Sequence, residues 1–362
     1  MDKPRRDAFS NLARMLAHNS KKARDQTVKK LRRWITKREN VTELELLKLW
    51  KGLFYCYWMS DKRPVQADLA KKIAKLIQPL APGRAYLLVR ATFTTLLREW
   101  GGIDALRMDK FMLLAREIIY EIFTYLRSKE WDAATVRKMS EVLNDTVFEV
   151  DAKENRGLCL HVCEIFIDEF KHAMGEGQQV PSFEAIMELL APFWEILRFG
   201  TESSFQRVVE EEIFFRIVEE GSRESPGSNA ILCLCFGEEK ARKLSEVLLK
   251  LASDPTTLEC NRDRLYSLRE KVMEKLNGSV SAANQDMKTV YIPKTFRDIV
   301  AAKTSKPKCS RTRKGGKRKQ GTPTADNSKA KKHKKTGSGA RKKKQKRLDS
   351  KRKQEGKRAR SS

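Results

Sequence analysis

The alternation of apolar and polar residues is clearest in LLKLWKGLFYCYWMSDKR, residues 46–63. Thr42 and Glu45 predict a capping box before it, and Pro64 predicts the start of the next helix. Gly52 lies mid-helix, where glycine costs roughly 0.5–1 kcal/mol relative to alanine, so we expect a neighbouring helix to approach its backbone closely. Helical spacing places the large apolar side chains on one face, namely Leu46, Leu49, Trp50, Leu53, Phe54 and Tyr57.

Helical periodicity extends through most of the chain and predicts an all-α protein. No segment shows the alternation that is typical of a β-strand. Asp132, Ser182 and Thr201 are predicted N-caps, and the Gly101-Gly102 pair predicts a helix end. Besides the helix after Thr42 and one from Asp104 to Leu126, the predicted helices cover residues 8–19, 21–39, 64–81, 83–100, 132–150, 156–174, 182–199, 202–220, 229–252 and 258–277.

The spacing of the helix pairs indicates the fold. Pairs recur at intervals of roughly 40–45 residues, the period of HEAT and armadillo arrays. We therefore predict antiparallel helix pairs in a HEAT/armadillo-like α-solenoid over residues 5–277, with a globular helical bundle as the alternative. Residues 278–302 are predicted to be a linker. Its segment VYIPKTFRDIV is either a docking peptide, with partner contacts at Tyr291, Ile292 and Phe296, or a loosely packed arm.

Positive charge is concentrated at the C-terminal end. Residues 303–362 contain 26 Lys and Arg but 3 Asp and Glu, a net charge of +23, whereas the other 302 residues are nearly balanced at +5. Such a composition predicts a disordered tail. A tail of this charge points to a polyanion, either nucleic acid or an anionic membrane surface, although a merely solubilising tail is the alternative.

The basic runs of the tail predict two roles. Binding to RNA through them should be independent of sequence and should weaken steeply with salt. The candidate RNA-binding residues are Lys317, Arg318, Lys319, Lys331, Lys332, Lys334, Lys335, Arg341, Lys342, Lys343, Lys344, Lys346 and Arg347. A subset also resembles nuclear-import signals, namely Lys317, Arg318, Lys319, Lys342, Lys343, Lys344, Lys346 and Arg347.

The predicted helix 21–39 carries the clearest basic face outside the tail. Val28, Leu31, Trp34 and Ile35 form its apolar stripe. Two interpretations remain open: a solvated helix face, or a face that contacts phosphates. The candidate RNA-binding residues on it are Lys29, Lys30, Arg32, Arg33, Lys37 and Arg38.

Motifs of common enzymes are absent from the sequence. It contains no phosphate-binding P-loop, no Gly-x-Ser-x-Gly elbow and no His-Glu-x-x-His pair. Cys159 and Cys163 share a helix face from which His161 points away, so they do not form a zinc site. We predict no catalytic residue, cofactor, metal ligand or small-molecule substrate. Seven scattered cysteines and the absence of a signal-peptide core predict an intracellular protein, and no apolar run is long enough to span a membrane.

Two long motifs indicate a family. The segments ELLKLWKGLFYCYWMSDKRPVQADLAKKI (residues 45–73) and REWGGIDALRMDKFMLLAREI (residues 98–118) closely resemble the eukaryotic ribosomal RNA-processing protein 1 family, also called the Nop52 type. The resemblance covers residues 9–218. Its signature residues here are Trp50, Lys51, Gly52, Phe54, Asp61, Lys62, Trp100, Gly102, Asp104, Arg107, Asp109 and Lys110.

The resemblance implies an all-helical, non-catalytic nucleolar factor that assists processing of large-subunit pre-rRNA. Its implied partners are that pre-rRNA and other large-subunit biogenesis factors, and no membrane. We expect the signature aromatic residues to belong to the core. For Asp61, Lys62, Asp109 and Lys110, pairing within the protein and contact with a partner are both open. The alternative function is a nuclear chromatin or transcription adaptor whose basic tail binds DNA. A nuclease would need clustered carboxylates for metal ions, and no clear cluster is present.

Overall fold

The computed structural model describes residues 11–38, 40–149, 156–175, 180–221 and 230–277. All of them lie in one structural unit, Met1–Ser310, and the second unit, Arg311–Ser362, is outside the described residues. The described residues contain helices and no strand. After α1 at residues 11–16, the helices are α2 Lys21–Lys37, α3 Glu43–Trp58, α4 Arg63–Ala74, α5 Pro82–Trp100, α6 Ala105–Ser128, α7 Ala133–Asn144, α8 Arg156–Met174, α9 Phe183–Leu189, α10 Ala191–Phe199, α11 Ser203–Val209, a π-helical segment Glu210–Phe215, α12 Arg216–Gly221, α13 Ala230–Phe236, α14 Glu238–Ser253 and α15 Glu259–Asn277.

Local sequence signals account for several helix ends. Thr42 and Glu45 form the predicted capping box at the start of α3. Asp132 and Ser182 cap α7 and α9 through their side chains, as predicted. The prediction for Thr201 was wrong, because Glu202 is the N-cap of α11 and makes no side-chain capping bond.

Two predicted helices are interrupted. The predicted helix 182–199 divides at Leu190, and a new helix starts at Ala191 with Pro192 in its first turn. The division occurs there because proline lacks the N–H that a continuous helix requires. The predicted helix 229–252 divides at Gly237, whose ψ of 172° is not helical. Two other predicted helices, 64–81 and 132–150, end early, at Ala74 and Asn144. The chain continues in turns, and the apolar residues of these turns are buried, namely Leu76, Ile77, Leu80, Val147 and Phe148.

The helices pack in two layers. In one layer α3 packs on α5, α5 on α7, and α7 on α9 and α10, and in the other α4 packs on α6 and α6 on α8. Ser60 and Leu80 flank α4 and accept hydrogen bonds from Lys110 and Tyr125 of α6 respectively. This order makes α4 and α6 parallel. Helices α6 and α8 are also parallel, because the contacts Met112–His161 and Arg127–Ala173 follow the same order along both helices. The contacts Tyr86–Thr135 and Arg90–Asp145 show in the same way that α5 and α7 are parallel.

Parallel second neighbours within each layer are the geometry of an α-solenoid. The predicted all-α, HEAT/armadillo-like class is therefore confirmed. Its core is rich in aromatic rings: Phe54 stacks on Phe111 with ring centroids 4.7 Å apart, and Phe166 meets Phe193 edge to face. The apolar face predicted for α3, from Leu46 to Tyr57, is buried throughout.

Gly52 is the point where α1 approaches α3. A Cβ atom at this position would lie 2.8 Å from the carbonyl oxygen of Ala13 and 3.2 Å from Cβ of Leu16. Such a distance to a backbone atom is shorter than real Cβ contacts. The close approach explains why glycine occupies the middle of a helix at a conformational cost, and it confirms the expectation drawn from the sequence.

A fully buried arginine connects the end of α10 to the turn between α14 and α15. The Arg198 guanidinium donates to the hydroxyl oxygens of Thr257 (3.0 Å) and Thr256 (2.7 Å), and pairs with Asp254 at 3.0 Å. The Asn261 side chain donates to the carbonyl oxygen of Arg198 at 3.0 Å. These contacts fasten the C-terminal helix pair to the preceding helices.

Candidate nucleic-acid and partner interfaces

The exposed face of α2 is strongly basic. Lys29, Lys30, Arg32, Arg33 and Lys37 are all exposed, and none forms an ion pair with another residue in the described part of the chain. Their spacing covers about 12 Å along the helix axis, at 1.5 Å per residue. Unpaired cations on one rigid helix make a continuous positive surface that can contact successive phosphates.

Arg24 and Arg38 hold α2 in position against α3. Arg24 is buried and donates to the carbonyl oxygens of His18 and Asn19, and to that of Met59 at the end of α3. Because Arg38 also pairs with Glu45 near the start of α3, α2 and α3 are antiparallel.

Arg84, in the first turn of α5, places positive charge at the C-terminal end of α2. It donates to the carbonyl oxygens of Ile35, Thr36 and Arg38. These carbonyls have no partner within the helix, and a cation is favourable at this end of a helix dipole. Sequence reasoning missed Arg24 and Arg84, because no local pattern shows which distant carbonyl groups an arginine reaches.

Arg38 differs from the other basic residues predicted to bind RNA. Its guanidinium pairs with Glu45 at 2.6 Å and lies 4.9 Å from the ring centroid of Trp34. The side chain is 26% exposed. Arg38 therefore connects α2 to α3, and the five unpaired cations form the surface available to a phosphate backbone. We refer to those five residues as the α2 basic face.

The two motifs noted in the sequence meet in space at Lys110. Its ammonium donates to the carbonyl oxygens of Trp58 (2.6 Å) and Ser60 (2.8 Å), at the end of α3. The Tyr57 hydroxyl donates in return to the Lys110 carbonyl oxygen at 2.7 Å. Burial is the main cause that lowers the pKa of Lys110. Lys110 therefore pairs within the protein, whereas Asp61, Lys62 and Asp109 are exposed.

Replacing Lys110 by methionine is expected to lower the free energy of unfolding by about 1.5–3 kcal/mol, the range for hydrogen bonds that involve a charged group. The loss leaves the Trp58 carbonyl oxygen without its donor and leaves the Ser60 carbonyl oxygen with the Gln66 side chain as its remaining side-chain donor. Urea denaturation followed by circular dichroism measures it. The exposed Lys62 provides the control, since Lys62→Met should change stability by less than about 0.5 kcal/mol. Equal stability of the two variants would contradict the assigned role.

The acidic residues of the π-helical segment and α12 are not a uniformly solvated face. Glu210 pairs with Arg264 at 2.8 Å. Glu220 pairs with Lys171 at 2.6 Å and with Arg216 at 3.0 Å. These two residues therefore connect the π-helical segment to α15 and α12 to α8.

The cysteine side chains of the described residues are free thiols. Burial raises the pKa of Cys56 and of Cys159 to about 11 and that of Cys235 to about 12. Cys159 donates to the carbonyl oxygen of Val147. Within the described ranges, no group of three or more His, Cys, Asp and Glu side chains could hold a metal ion. In the same ranges, no helix combines the length and the apolar character that a bilayer crossing requires.

The remaining predicted site residues lie outside the described residues. They are the docking-segment residues Tyr291, Ile292 and Phe296 and all the basic residues predicted for the tail, from Lys317 to Arg347. Of the signature aromatic residues, Trp50, Phe54 and Trp100 are buried in the core, as expected.

Comparison with known proteins settles the family. The model of the family described as nucleolar protein Nop52 matches residues 7–266, well over half of the chain. The chain belongs to the Nop52 family. The relatives include ribosomal RNA processing protein 1 homolog A of mouse and of human, each 33% identical over 215 residues, or 58% of this chain. The ribosomal RNA processing protein 1 homolog of Dictyostelium discoideum is 27% identical over 291 residues, or 72% of this chain.

The matched part of this Nop52 chain spans less than half the length of the mammalian relatives, 43% of the mouse protein and 46% of the human one. It spans 57% of the Dictyostelium protein. The α2 basic face and the hydrogen bonds between Lys110 and the end of α3 both lie within the residues that the family model matches. The geometry described above therefore belongs to the Nop52 part of the chain.

Proposed function

We propose that this chain is a non-catalytic assembly factor for the large ribosomal subunit, which acts in the nucleolus and supports pre-rRNA processing. Membership of a family described as nucleolar, and relatives named for ribosomal RNA processing, support the setting. The observation that carries the RNA-binding part is the α2 basic face. Its five exposed cations have no counter-charge among the described residues.

The α2 basic face binds the rRNA backbone rather than its bases. The only aromatic residue of α2, Trp34, is partly buried beneath the Arg38 guanidinium, so the face offers no ring on which a base could stack. Contacts to phosphates position a protein on RNA without reading its sequence. The basic tail, residues 303–362, adds further contacts of the same kind, and its import-like runs direct the chain to the nucleus.

The solenoid supplies a scaffold for other biogenesis factors. The two helix layers leave exposed surface for partners. Asp61, Lys62 and Asp109 are exposed close to the hydrogen bonds of Lys110 with the end of α3. The partners of this body are proteins, and its basic surfaces hold rRNA.

Depletion in cells tests the function. Cells that lack the protein are expected to accumulate unprocessed precursors of the large-subunit rRNA, and the intact protein should sediment with large-subunit precursors. Northern blotting with spacer probes measures the first result. Re-expression of the full chain should restore processing. Normal pre-rRNA profiles after depletion would reject the proposal, and association with genomic DNA instead of pre-rRNA would favour a chromatin adaptor.

Neutralising the α2 basic face is expected to weaken RNA binding and reduce its salt dependence. Each phosphate contact to a single strand contributes about 0.7 to the slope of log K against log salt concentration. The triple variant Lys29→Gln, Lys30→Gln, Arg33→Gln should therefore lower the magnitude of that slope by about 2. Fluorescence anisotropy with a labelled RNA, measured at several salt concentrations on the full chain, gives the slope.

A matched control removes the same number of exposed charges elsewhere. Lys75, Arg242 and Lys250 are exposed and lie on other parts of the body. Their triple replacement by glutamine changes net charge equally but should leave most of the slope intact. If both triple variants reduce the slope to the same degree, the α2 basic face has no special role in binding.

A further inference from the structure

The outer face of α3 carries a row of exposed or partly exposed side chains. Leu44, Lys48, Lys51, Tyr55 and Trp58 follow one another at spacings of three and four residues, which places them on one helix face. Leu44 is 60% exposed and Tyr55 is 40% exposed, while Trp58 is half-buried. We call these five residues the α3 stripe. The opposite face of α3 is buried in the core. Within the stripe, Trp58 also packs against Phe111 of α6, with ring centroids 6.0 Å apart, whereas Leu44, Lys48, Lys51 and Tyr55 face outward.

The first turn of α6 lies beside the C-terminal end of the α3 stripe. The Arg107 guanidinium lies 4.8 Å from the ring centroid of Trp58. The adjacent Leu106 is 95% exposed, the highest value among the large apolar side chains of the described residues. Exposed apolar side chains grouped on one surface mark interaction sites.

We infer that the α3 stripe and Leu106 form a docking surface for an acidic amphipathic helix of a protein partner. The stripe from Leu44 to Trp58 is about 21 Å long at 1.5 Å per residue. Four turns of a second helix match this length, with apolar anchors at every third or fourth residue. The proposal rests on the proposed scaffold function for its cellular purpose, but the binding itself can be measured independently.

The charges of the stripe determine which segment fits. Lys48 and Lys51 lie between the apolar ends, and neither forms an ion pair with another described residue. Arg107 already pairs with Asp104 at 2.5 Å. Two uncompensated ammonium groups favour a partner with carboxylates opposite them, because complementary charge suppresses wrong partners and fixes the register.

Two other occupants fit less well. The apolar segment of this chain, VYIPKTFRDIV, carries two basic residues and one acidic residue, so it would place like charge against Lys48 and Lys51. Single-stranded RNA would use Tyr55 and Trp58 for stacking, but the two most exposed apolar side chains, Leu44 and Leu106, are aliphatic. Aliphatic anchors favour a protein helix over nucleic acid.

Site-specific photocrosslinking of the full chain tests the inference. Benzoylphenylalanine replaces Tyr55 in one variant and Leu106 in another, and each is expressed in cells depleted of the natural protein. Crosslinked peptides are then identified by mass spectrometry. Leu249 of α14 is 43% exposed and provides the matched control position. A circular dichroism melt confirms that each variant is folded.

The expected result is one partner segment crosslinked from both Tyr55 and Leu106 but not from Leu249. That segment should carry net negative charge and apolar residues at helical spacing. The added double substitution Lys48→Glu and Lys51→Glu should reduce its yield at least tenfold, and should weaken binding of the corresponding synthetic peptide to purified full chain by a similar factor.

Other outcomes overturn the inference. Crosslinks to RNA, to a second copy of this chain or to its own residues 278–362 would assign the surface to a different occupant. A partner segment without net negative charge, or no crosslink from either position, would also reject it. Normal pre-rRNA processing after depletion would instead reject the proposed function, and it leaves the crosslinking result standing.

Discussion

Removal of residues 303–362 is expected to produce the largest loss of RNA binding. The tail carries 26 of the 75 Lys and Arg residues. A protein that neutralises 6–10 phosphates loses about 10³–10⁵-fold in affinity between 50 and 200 mM salt. We expect the full chain to fall in this range. The truncated chain retains the α2 basic face and should show a decline of about 100-fold, because five contacts to a single strand give a slope near −3.5.

Anisotropy titrations of one labelled RNA against both chains, at four salt concentrations, give the two slopes. A tail in which every Lys and Arg is replaced by Gln separates charge from length, and it should behave as the truncated chain does. Equal slopes for the full and truncated chains would show that the tail does not contact RNA. Equal binding of the full chain to an anionic vesicle and to RNA would indicate that the tail binds polyanions without a preference for RNA.

Replacing Arg198 by alanine is expected to cause the largest loss of stability, about 3 kcal/mol or more, because two hydrogen bonds from a charged group are lost at about 1.5–3 kcal/mol each. The guanidinium is fully buried, and its removal takes one hydrogen bond from Thr257 and the ion pair from Asp254 and opens a cavity. The affected contacts join α10 to the α14–α15 turn. Urea denaturation should therefore show a lower midpoint, and limited proteolysis should cut first between α10 and α15.

Arg207 provides the matched control. It lies on the neighbouring helix α11 and pairs with Glu211 at 3.7 Å, but its side chain is 69% exposed. An exposed pair contributes about 0–1 kcal/mol, so Arg207→Ala should leave the midpoint nearly unchanged. If the two alanine variants were equally stable, the buried contacts of Arg198 would not be what fastens the C-terminal helix pair.

The fold class could be predicted because its signals are local. The capping box at Thr42, the caps at Asp132 and Ser182, and the apolar face of α3 depend on residues within one or two turns of each other. Gly52 likewise indicated a close contact with another helix, although the sequence could not identify α1 as that helix.

The helix interruptions were not predicted, because apolar spacing continues through them. Leu190 and Gly237 lie within runs that keep helical periodicity, and this periodicity masked the local signals of Pro192 and Gly237. The π-helical segment Glu210–Phe215 has no sequence signal of its own. The tertiary contacts of Glu210 with Arg264 and of Arg216 with Asp168 accompany it.

The candidate RNA-binding surface was predicted in outline. The sequence pattern predicted six basic residues on one face of α2, and five of them are exposed without a counter-charge. The sixth, Arg38, pairs with Glu45 seven positions further along the chain, a contact that depends on the antiparallel return of α3. The role of Lys110 was likewise undecidable from sequence, because its partner carbonyls lie about 50 residues away in the chain.

From α3 to α8 each helix packs mainly on its second neighbour, so the two layers extend in one direction. Stability in such an array is approximately a sum of terms for single units and for the interfaces between adjacent ones. Fraying of the terminal pair α14–α15 can therefore occur while α4, α6 and α8 stay folded. One end of the array can thus open locally without unfolding the part that carries the α2 basic face.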